Sequence, residues 1–267
     1  MKTRILITFI LTLTATLYAK PPKFDRSLIE LGEKLNYKVF MFGKLLNIGS
    51  ASLEIKETTL ENKKYYLFEG NAKGGYLIFD VILNLKSFTD YKTLRPVYFI
   101  HHQQGFEKRT RKLIFDFRQK KIIYQKKIDN RYIERAKTDM QPFTRDPLST
   151  LYFARALSGK LNEKMFLRTI EKRDIWPVHI ETIKKKTLTL LSGKKCNALL
   201  VKIMPEKSGK NQLFRGLFGL QGKIMLWVSE DKKIPLLIEG NYMFGFIPLK
   251  ITVMLDSWQP DKIIKTN

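Results

Sequence analysis

Apolar and polar residues alternate along much of this chain. In one run, Ala51, Leu53 and Ile55 are separated by polar residues, and Ile251 and Val253 flank Thr252 in another. A period of two puts the apolar side chains on one face of a strand, which is typical of half-buried antiparallel sheets. Turn-forming residues separate the runs. The pattern predicts strands at about 33–43, 47–58, 63–72, 76–91, 94–105, 110–117, 120–128, 165–173, 176–189, 194–204, 222–229, 234–243 and 247–258.

One segment in the middle of the chain indicates a helix instead. Asp146 suits the N-cap, and Pro147 suits the first helical position, where its missing N–H is not needed. Gly159 can end the helix in a left-handed conformation. We therefore predict a short, largely buried helix over Asp146–Leu157. We expect Asp146 to act as its cap and Arg155 to form an ion pair or a backbone tether.

Strand patterns lie on both sides of this helix, and no low-complexity linker divides the chain. The polar segment Arg131–Arg145 is the best candidate for a connection. We predict a single β-rich domain over residues 20–267, with two lobes joined near 131–160 as the alternative. A sheet of ten or more strands must curl or close. The expected fold is therefore all-β, mainly antiparallel, with one short central helix inside a curled sheet or open half-barrel.

The first residues have the pattern of a secretory signal peptide. Lys2 and Arg4 supply positive charge, Ile5–Leu17 is largely apolar, and Ala19 is a small residue at the expected cleavage point. The apolar run is short for a spanning helix, which needs about 20 residues. We expect residues 1–19 to be removed and the mature protein to be periplasmic. A retained membrane anchor is the alternative.

Charge narrows the classes of partner. The chain has 49 Lys and Arg against 25 Asp and Glu, a formal net charge of +24. Such a field attracts polyanions. For an exported protein these are anionic membrane surfaces and envelope polymers, so we expect no nucleic acid partner. Lysines spread over solvated strand faces would give the same composition without any binding role. Cys196 is the only cysteine, so the fold has no intramolecular disulfide.

Four short motifs occur in order along the chain: Gly32–Tyr37, Leu46–Ala51, Asp146–Arg155 and Leu226–Pro235. Together they resemble a bacterial envelope family known as domain of unknown function 3108. The resemblance implies an exported, β-rich protein and carries no catalytic residues. The general appearance of the family is that of open half-barrels that carry lipids or lipoproteins, which is an analogy of fold only. We interpret four motif residues as structural: Asp146, Pro147, Arg155 and Trp227.

Patterns for catalysis and metal binding are scarce. His101 and His102 are adjacent on a predicted strand, so they point to opposite faces and cannot hold one metal together. No Cys/His spacing typical of zinc occurs, nor does Gly-x-Ser-x-Gly or a glycine-rich phosphate loop. We expect no metal, no cofactor and no enzyme activity. An envelope hydrolase is the least favoured hypothesis.

The segment Lys207–Gly222 is the candidate for ligand binding, since it is basic, aromatic and rich in glycine. Its apolar side chains would insert into a membrane interface or close over an apolar ligand, while its basic ones would hold anionic head groups. The alternative is that the apolar side chains cap the open end of the barrel as core. The candidate contacts are Phe214, Leu217, Phe218, Lys210 and Arg215.

These observations leave two main hypotheses. The leading one is a non-enzymatic envelope protein that binds an apolar or amphiphilic ligand, such as a lipid or a lipidated partner, inside a concave apolar sheet. The other is a scaffold or assembly factor that binds protein or anionic wall polymer through its basic surface. The first depends on space inside the sheet, because side chains that filled it completely would exclude a ligand.

Overall fold

The computed structural model describes residues 25–76, 79–105, 108–157, 161–206, 214, 216–244 and 247–259. Before the central helix lie β1 (Lys34–Met41), β2 (Leu46–Leu60), β3 (Lys63–Tyr76), β4 (Phe79–Asp90), β5 (Pro96–Gly105), β6 (Arg109–Asp116), β7 (Lys121–Ile128), β8 (Arg131–Asp139) and β9 (Thr144–Arg145). Helix α1 spans Pro147–Leu157. After it come β10 (Lys164–Glu171), β11 (Asp174–Thr189), β12 (Lys195–Pro205), β13 (Gln221–Ser229), β14 (Pro235–Phe244) and β15 (Ile247–Gln259). Short 3₁₀ helices occupy Arg26–Leu28 and Leu217–Gly219. The expected signal peptide, 1–19, lies outside the described residues.

All the strands in these ranges belong to one sheet. The order is β8-β7-β6-β5-β4-β3-β2-β1-β15-β14-β13-β12-β11-β10-β9. Each neighbouring pair is antiparallel except β9 and β10, which are parallel. β1 lies in the middle because it pairs with both β2 and β15. The sheet is open, with β8 and β9 at its two edges.

Helix α1 shows that the sheet is curled. The helix contacts β3 and β4 and also β10, which stand far apart in the strand order. Only a sheet that bends around the helix brings those strands to it. Leu148, Leu151 and Phe153 are buried, and the Tyr152 ring stacks on Phe68 of β3 with centroids 4.1 Å apart. The predicted fold, an all-β curled sheet with one central helix, is confirmed.

Strand β2 illustrates how the alternating pattern forms the wall. Ala51, Leu53 and Ile55 are buried on the inner face, while the residues between them are partly exposed. Gly49 faces Gly74 of β3 in the register, and a Cβ on Gly49 would lie 2.2 Å from the Lys73 carbonyl oxygen. The two backbones approach so closely there that only glycine fits.

The predicted connection Arg131–Arg145 is wrong for most of its length, because β8 and β9 occupy it. β8 is an edge strand whose residues are mostly exposed, so it lacks the apolar alternation of the inner strands. β9 has only two residues and exists through its pairing with β10. The Thr138 hydroxyl donates to the Arg173 carbonyl oxygen at 2.8 Å, so one sheet edge reaches the turn between β10 and β11.

Candidate functional site

Asp146 fixes helix α1 against the sheet. Its Oδ1 accepts hydrogen bonds from the backbone N–H groups of Leu148 and Ser149, both at 2.9 Å. Its Oδ2 accepts from the hydroxyls of Ser87 and Ser149, both at 2.7 Å. The carboxylate thus caps the helix and ties it to β4, with Pro147 as the first helical residue. Asp146 is fully buried and faces protein groups only.

Arg155 holds the other end of the helix. Its Nη1 and Nη2 donate to Oε1 and Oε2 of Glu33 at 2.6 and 2.8 Å. The side chains of Arg155 and Glu33 are 1% and 3% exposed, so the pair is fully desolvated. Burial works against the charged guanidinium, but the hydrogen bonds to Glu33 and the negative charge of Glu33 together outweigh it and raise the pKa of Arg155 above its usual value. Trp227 on β13 is also buried.

The apolar residues of the candidate binding segment lie inside the protein. Phe214 and Leu217 are 5% and 6% exposed, and the Phe214 ring meets Trp176 at a centroid distance of 5.7 Å. Phe218 is half-buried in a left-handed conformation, with φ of 53°. A Cβ on Gly70 would lie 3.2 Å from the Phe218 ring, so this ring packs directly on β3. Lys210 and Arg215 lie outside the described residues, and their roles stay predictions.

Helix α1 and residues Phe214, Leu217 and Phe218 pack inside the curled sheet as part of the apolar core. In this structure Phe214 and Leu217 therefore act as core, which is the packing alternative considered for them. A cleft of about 70 Å³ remains at one end, between β4–β7 on one side and β10, β14 and the 216–221 turn on the other. We call it the end cleft.

The end cleft has an apolar floor and a polar mouth. The floor includes Leu83, Leu85, Phe99, Leu113, Ile170 and Phe218. The mouth includes His101, Gln103, Arg109, Arg111, Lys172 and Gln221, with Glu171 beside Lys172. The floor and the mouth lie side by side, since on neighbouring strands Leu85 pairs with His101 and Leu83 pairs with Gln103.

Along β5 and β6 the inward residues change from apolar to polar. Phe99 faces Leu113, and two residues further along His101 faces Arg111. Another two residues along, Gln103 faces Arg109. Successive inward positions are two residues apart, so one face changes from apolar to cationic towards the strand ends. None of these residues was predicted as a ligand contact from the sequence, although in both strands apolar and then polar residues occupy alternate positions.

His101 is held in its neutral form. Its Nε2 is buried and has no hydrogen-bond partner among the described residues. Burial, reinforced by the positive charges of Arg111, Arg109 and Lys172, lowers the pKa of His101 to about 3. Within the described ranges no three His, Cys, Asp or Glu residues lie close enough together to hold a metal ion.

We expect His101 to make the fold sensitive to acid. The unfolded chain binds a proton at this ring below pH of about 6.5, whereas the folded chain does not until about pH 3, so stability falls as the pH drops through this window. At pH 5 the loss is about 2 kcal/mol. Urea unfolding at pH 7 and pH 5 measures this loss. Between the two pH values, the free energy of unfolding of His101→Gln should fall by about 2 kcal/mol less than that of the unaltered protein.

The matched control is His179→Gln, since His179 is exposed on β11 beside Glu206. It makes the same side-chain change at an exposed position outside the end cleft. Equal losses for the His101 and His179 variants would contradict a buried, neutral His101.

No helix in the described part of the chain combines the length and apolar character needed to cross a membrane. Searches of curated proteins and of solved structures gave no match. A family model described as "Protein of unknown function (DUF3108)" matches residues 36–254, from β1 to β15. This range covers most of the chain and contains the helix, its cap and the end cleft. The resemblance in the four motifs is therefore confirmed, and the chain belongs to the DUF3108 family.

Proposed function

We propose that this protein is a non-enzymatic envelope protein that binds the apolar part of an amphiphilic ligand, such as a lipid or lipidated partner, in the end cleft. The observation that carries the proposal is the apolar floor of a cleft that opens to the surface at one end of the curled sheet. Leu83 and Leu85 of β4, Phe99 of β5 and Leu113 of β6 form it. The export signal expected at residues 1–19 supports an envelope location, where amphiphiles are abundant.

The size of the end cleft limits how the ligand binds. Pockets that enclose a whole drug-sized ligand measure about 300–1,000 Å³, against about 70 Å³ here. The cleft therefore receives one chain end, and a longer insertion requires the 216–221 turn to move. Phe218 lies on that turn and lines the cleft. Of the candidate contacts predicted from sequence, we propose only Phe218 as a residue that touches the ligand.

Filling the cleft should abolish binding. Leu83 is 7% exposed and lines the floor, so Leu83→Trp places an indole where the chain end would lie. We expect this variant to bind dodecanoate at least tenfold more weakly than the unaltered protein, a difference of about 1.4 kcal/mol. Isothermal titration calorimetry measures the affinity, and a thermal melt confirms that the variant is folded.

Ile82→Trp is the matched control, because Ile82 is the preceding residue of β4 and faces outward at a half-buried position. It should bind like the unaltered protein. Undiminished binding by a folded Leu83→Trp variant would remove the end cleft from the proposal.

The net charge of +24 favours a second candidate, a scaffold that binds anionic polymer or membrane through its basic surface. Salt separates the two, because surface attraction is screened within about 8 Å at physiological ionic strength. Binding to anionic vesicles that collapses between low and moderate salt, and is equal in Leu83→Trp, supports the scaffold.

A further inference from the structure

We infer that the end cleft selects amphiphiles with an anionic head group, a phosphate or a carboxylate, which Arg109, Arg111 and Lys172 hold at the mouth while the chain end lies on the apolar floor. The inference rests on the proposed function and names the class of its ligand.

The distance between floor and mouth suits one small amphiphile. Along β5 and β6, successive inward side chains are about 7 Å apart, since a strand rises about 3.4 Å per residue. Leu113 belongs to the floor, Arg111 is the next inward residue, and Arg109 is the one after that. A head group at the arginines therefore leaves its first few methylenes against Leu113 and Phe99, with no gap between the charged and apolar contacts.

The mouth has an excess of positive charge. Among its described lining residues, Arg109, Arg111 and Lys172 are cationic and Glu171 is the one carboxylate. All three cations lie near His101, since besides its burial each of them lowers the pKa of that ring. A half-enclosed, low-dielectric wall strengthens such a field. Arginine also presents two parallel donors that match the oxygens of a carboxylate or phosphate.

Two buried polar atoms in the same place indicate that the ligand has a polar end. His101 Nε2 and Gln221 Oε1 have no hydrogen-bond partner among the described residues, although both side chains line the cleft. Such atoms are rare in native proteins, and each calls for an explanation. The neutral imidazole of His101 can donate from Nε2 to a phosphate or carboxylate oxygen, and a phosphate hydroxyl can donate to Gln221 Oε1, whereas a purely apolar ligand would leave both atoms without a partner.

The test compares ligands with one chain and different heads. Calorimetry should show dodecyl phosphate and dodecanoate binding at least tenfold more tightly than dodecanol. Lys172→Gln and Arg111→Gln should each weaken binding of the two anions about tenfold and leave dodecanol unchanged. Lys172 is exposed in the turn after β10, so its variant is informative even if Arg111→Gln fails to fold.

Arg118→Gln is the matched control, since Arg118 is an exposed cation in the turn after β6 and does not line the cleft. It should bind all three ligands like the unaltered protein. Equal affinity for dodecanol and dodecanoate would overturn the head-group inference but leave the proposed function intact. If Leu83→Trp does not change binding, both the head-group inference and the proposed function are wrong. A preference for dodecyl phosphate over dodecanoate identifies a phospholipid-type head, and the reverse identifies a fatty acid.

Discussion

Arg155→Met is expected to lower the free energy of unfolding by about 3–5 kcal/mol, because it leaves the Glu33 carboxylate buried without its counter-charge. The pair is bidentate, at 2.6 and 2.8 Å, and both side chains are almost completely enclosed. Arg155 Nη2 also donates to the Leu28 carbonyl oxygen at 3.2 Å, so the helix would lose a further contact with the first 3₁₀ helix. Urea titration followed by tryptophan fluorescence measures the change.

The double variant Glu33→Leu/Arg155→Met separates the ion pair from the burial of its members. Replacing both charges by apolar groups of similar size is often neutral, so this variant should recover most of the lost stability. Arg168→Met is the control, since Arg168 donates to the Pro142 carbonyl at 3.0 Å from an exposed position. We expect it to change stability by no more than about 0.5 kcal/mol. A similar result for Arg155→Met and Arg168→Met would refute the importance of the buried pair.

Asp146→Ala should lower the free energy of unfolding by about 3 kcal/mol. Loss of a helix cap accounts for about 1 kcal/mol. The hydroxyls of Ser87 and Ser149, which donate to Asp146 at 2.7 Å, would lose a charged acceptor. They would keep only weaker partners, the Thr89 hydroxyl at 3.0 Å and the backbone carbonyl of residue 146 at 3.2 Å, at a cost of about 1–3 kcal/mol together. Thermal and urea unfolding provide the measurement.

Asp25→Ala is the matched control for Asp146. Asp25 also caps a helix, accepting from the Ser27 backbone N–H at 2.9 Å and hydroxyl at 2.7 Å, but at an exposed site. It should lower stability by less than about 1 kcal/mol. Asp146→Asn keeps a good helix cap but cannot accept from all four donors. Its loss of stability should therefore lie between those of Asp25→Ala and Asp146→Ala. Equal losses for Asp25→Ala and Asp146→Ala would contradict the tie between the helix and β4.

Local pattern was enough to predict the walls and the helix of this protein. Alternation located strands such as β2, and the sequence Asp146-Pro147 marked the start of α1 to within one residue. β8 and β9 were not predicted, because an exposed edge strand and a two-residue strand have no apolar alternation of their own. They form through pairing instead: β8 makes a hairpin with β7, and β9 pairs with β10, which follows the helix in sequence.

The end cleft could not be predicted because its parts come from distant segments. His101 and Arg111 lie on β5 and β6, Lys172 in the turn after β10, and Gln221 at the start of β13. They meet only when the sheet curls around α1. The aromatic residues of the segment Lys207–Gly222 led to the prediction that it binds a ligand. In the structure Phe214 and Leu217 are buried as core, and Phe218 alone of the described candidates lines the cleft.

The position of β1 has a consequence for the order in which the molecule assembles. β1 pairs with β15, so Lys34 lies opposite Gln259, and this seam joins the two halves of the sheet. From β1 to β8 each strand pairs with its neighbour in sequence, so these strands can pair early in folding. The β1–β15 seam can form only after β15 has been synthesised. Until then β1 exposes an unpaired strand edge, a recognised route to misassembly. Slow closure of this seam would make the nascent chain depend on a chaperone for longer than its local topology suggests.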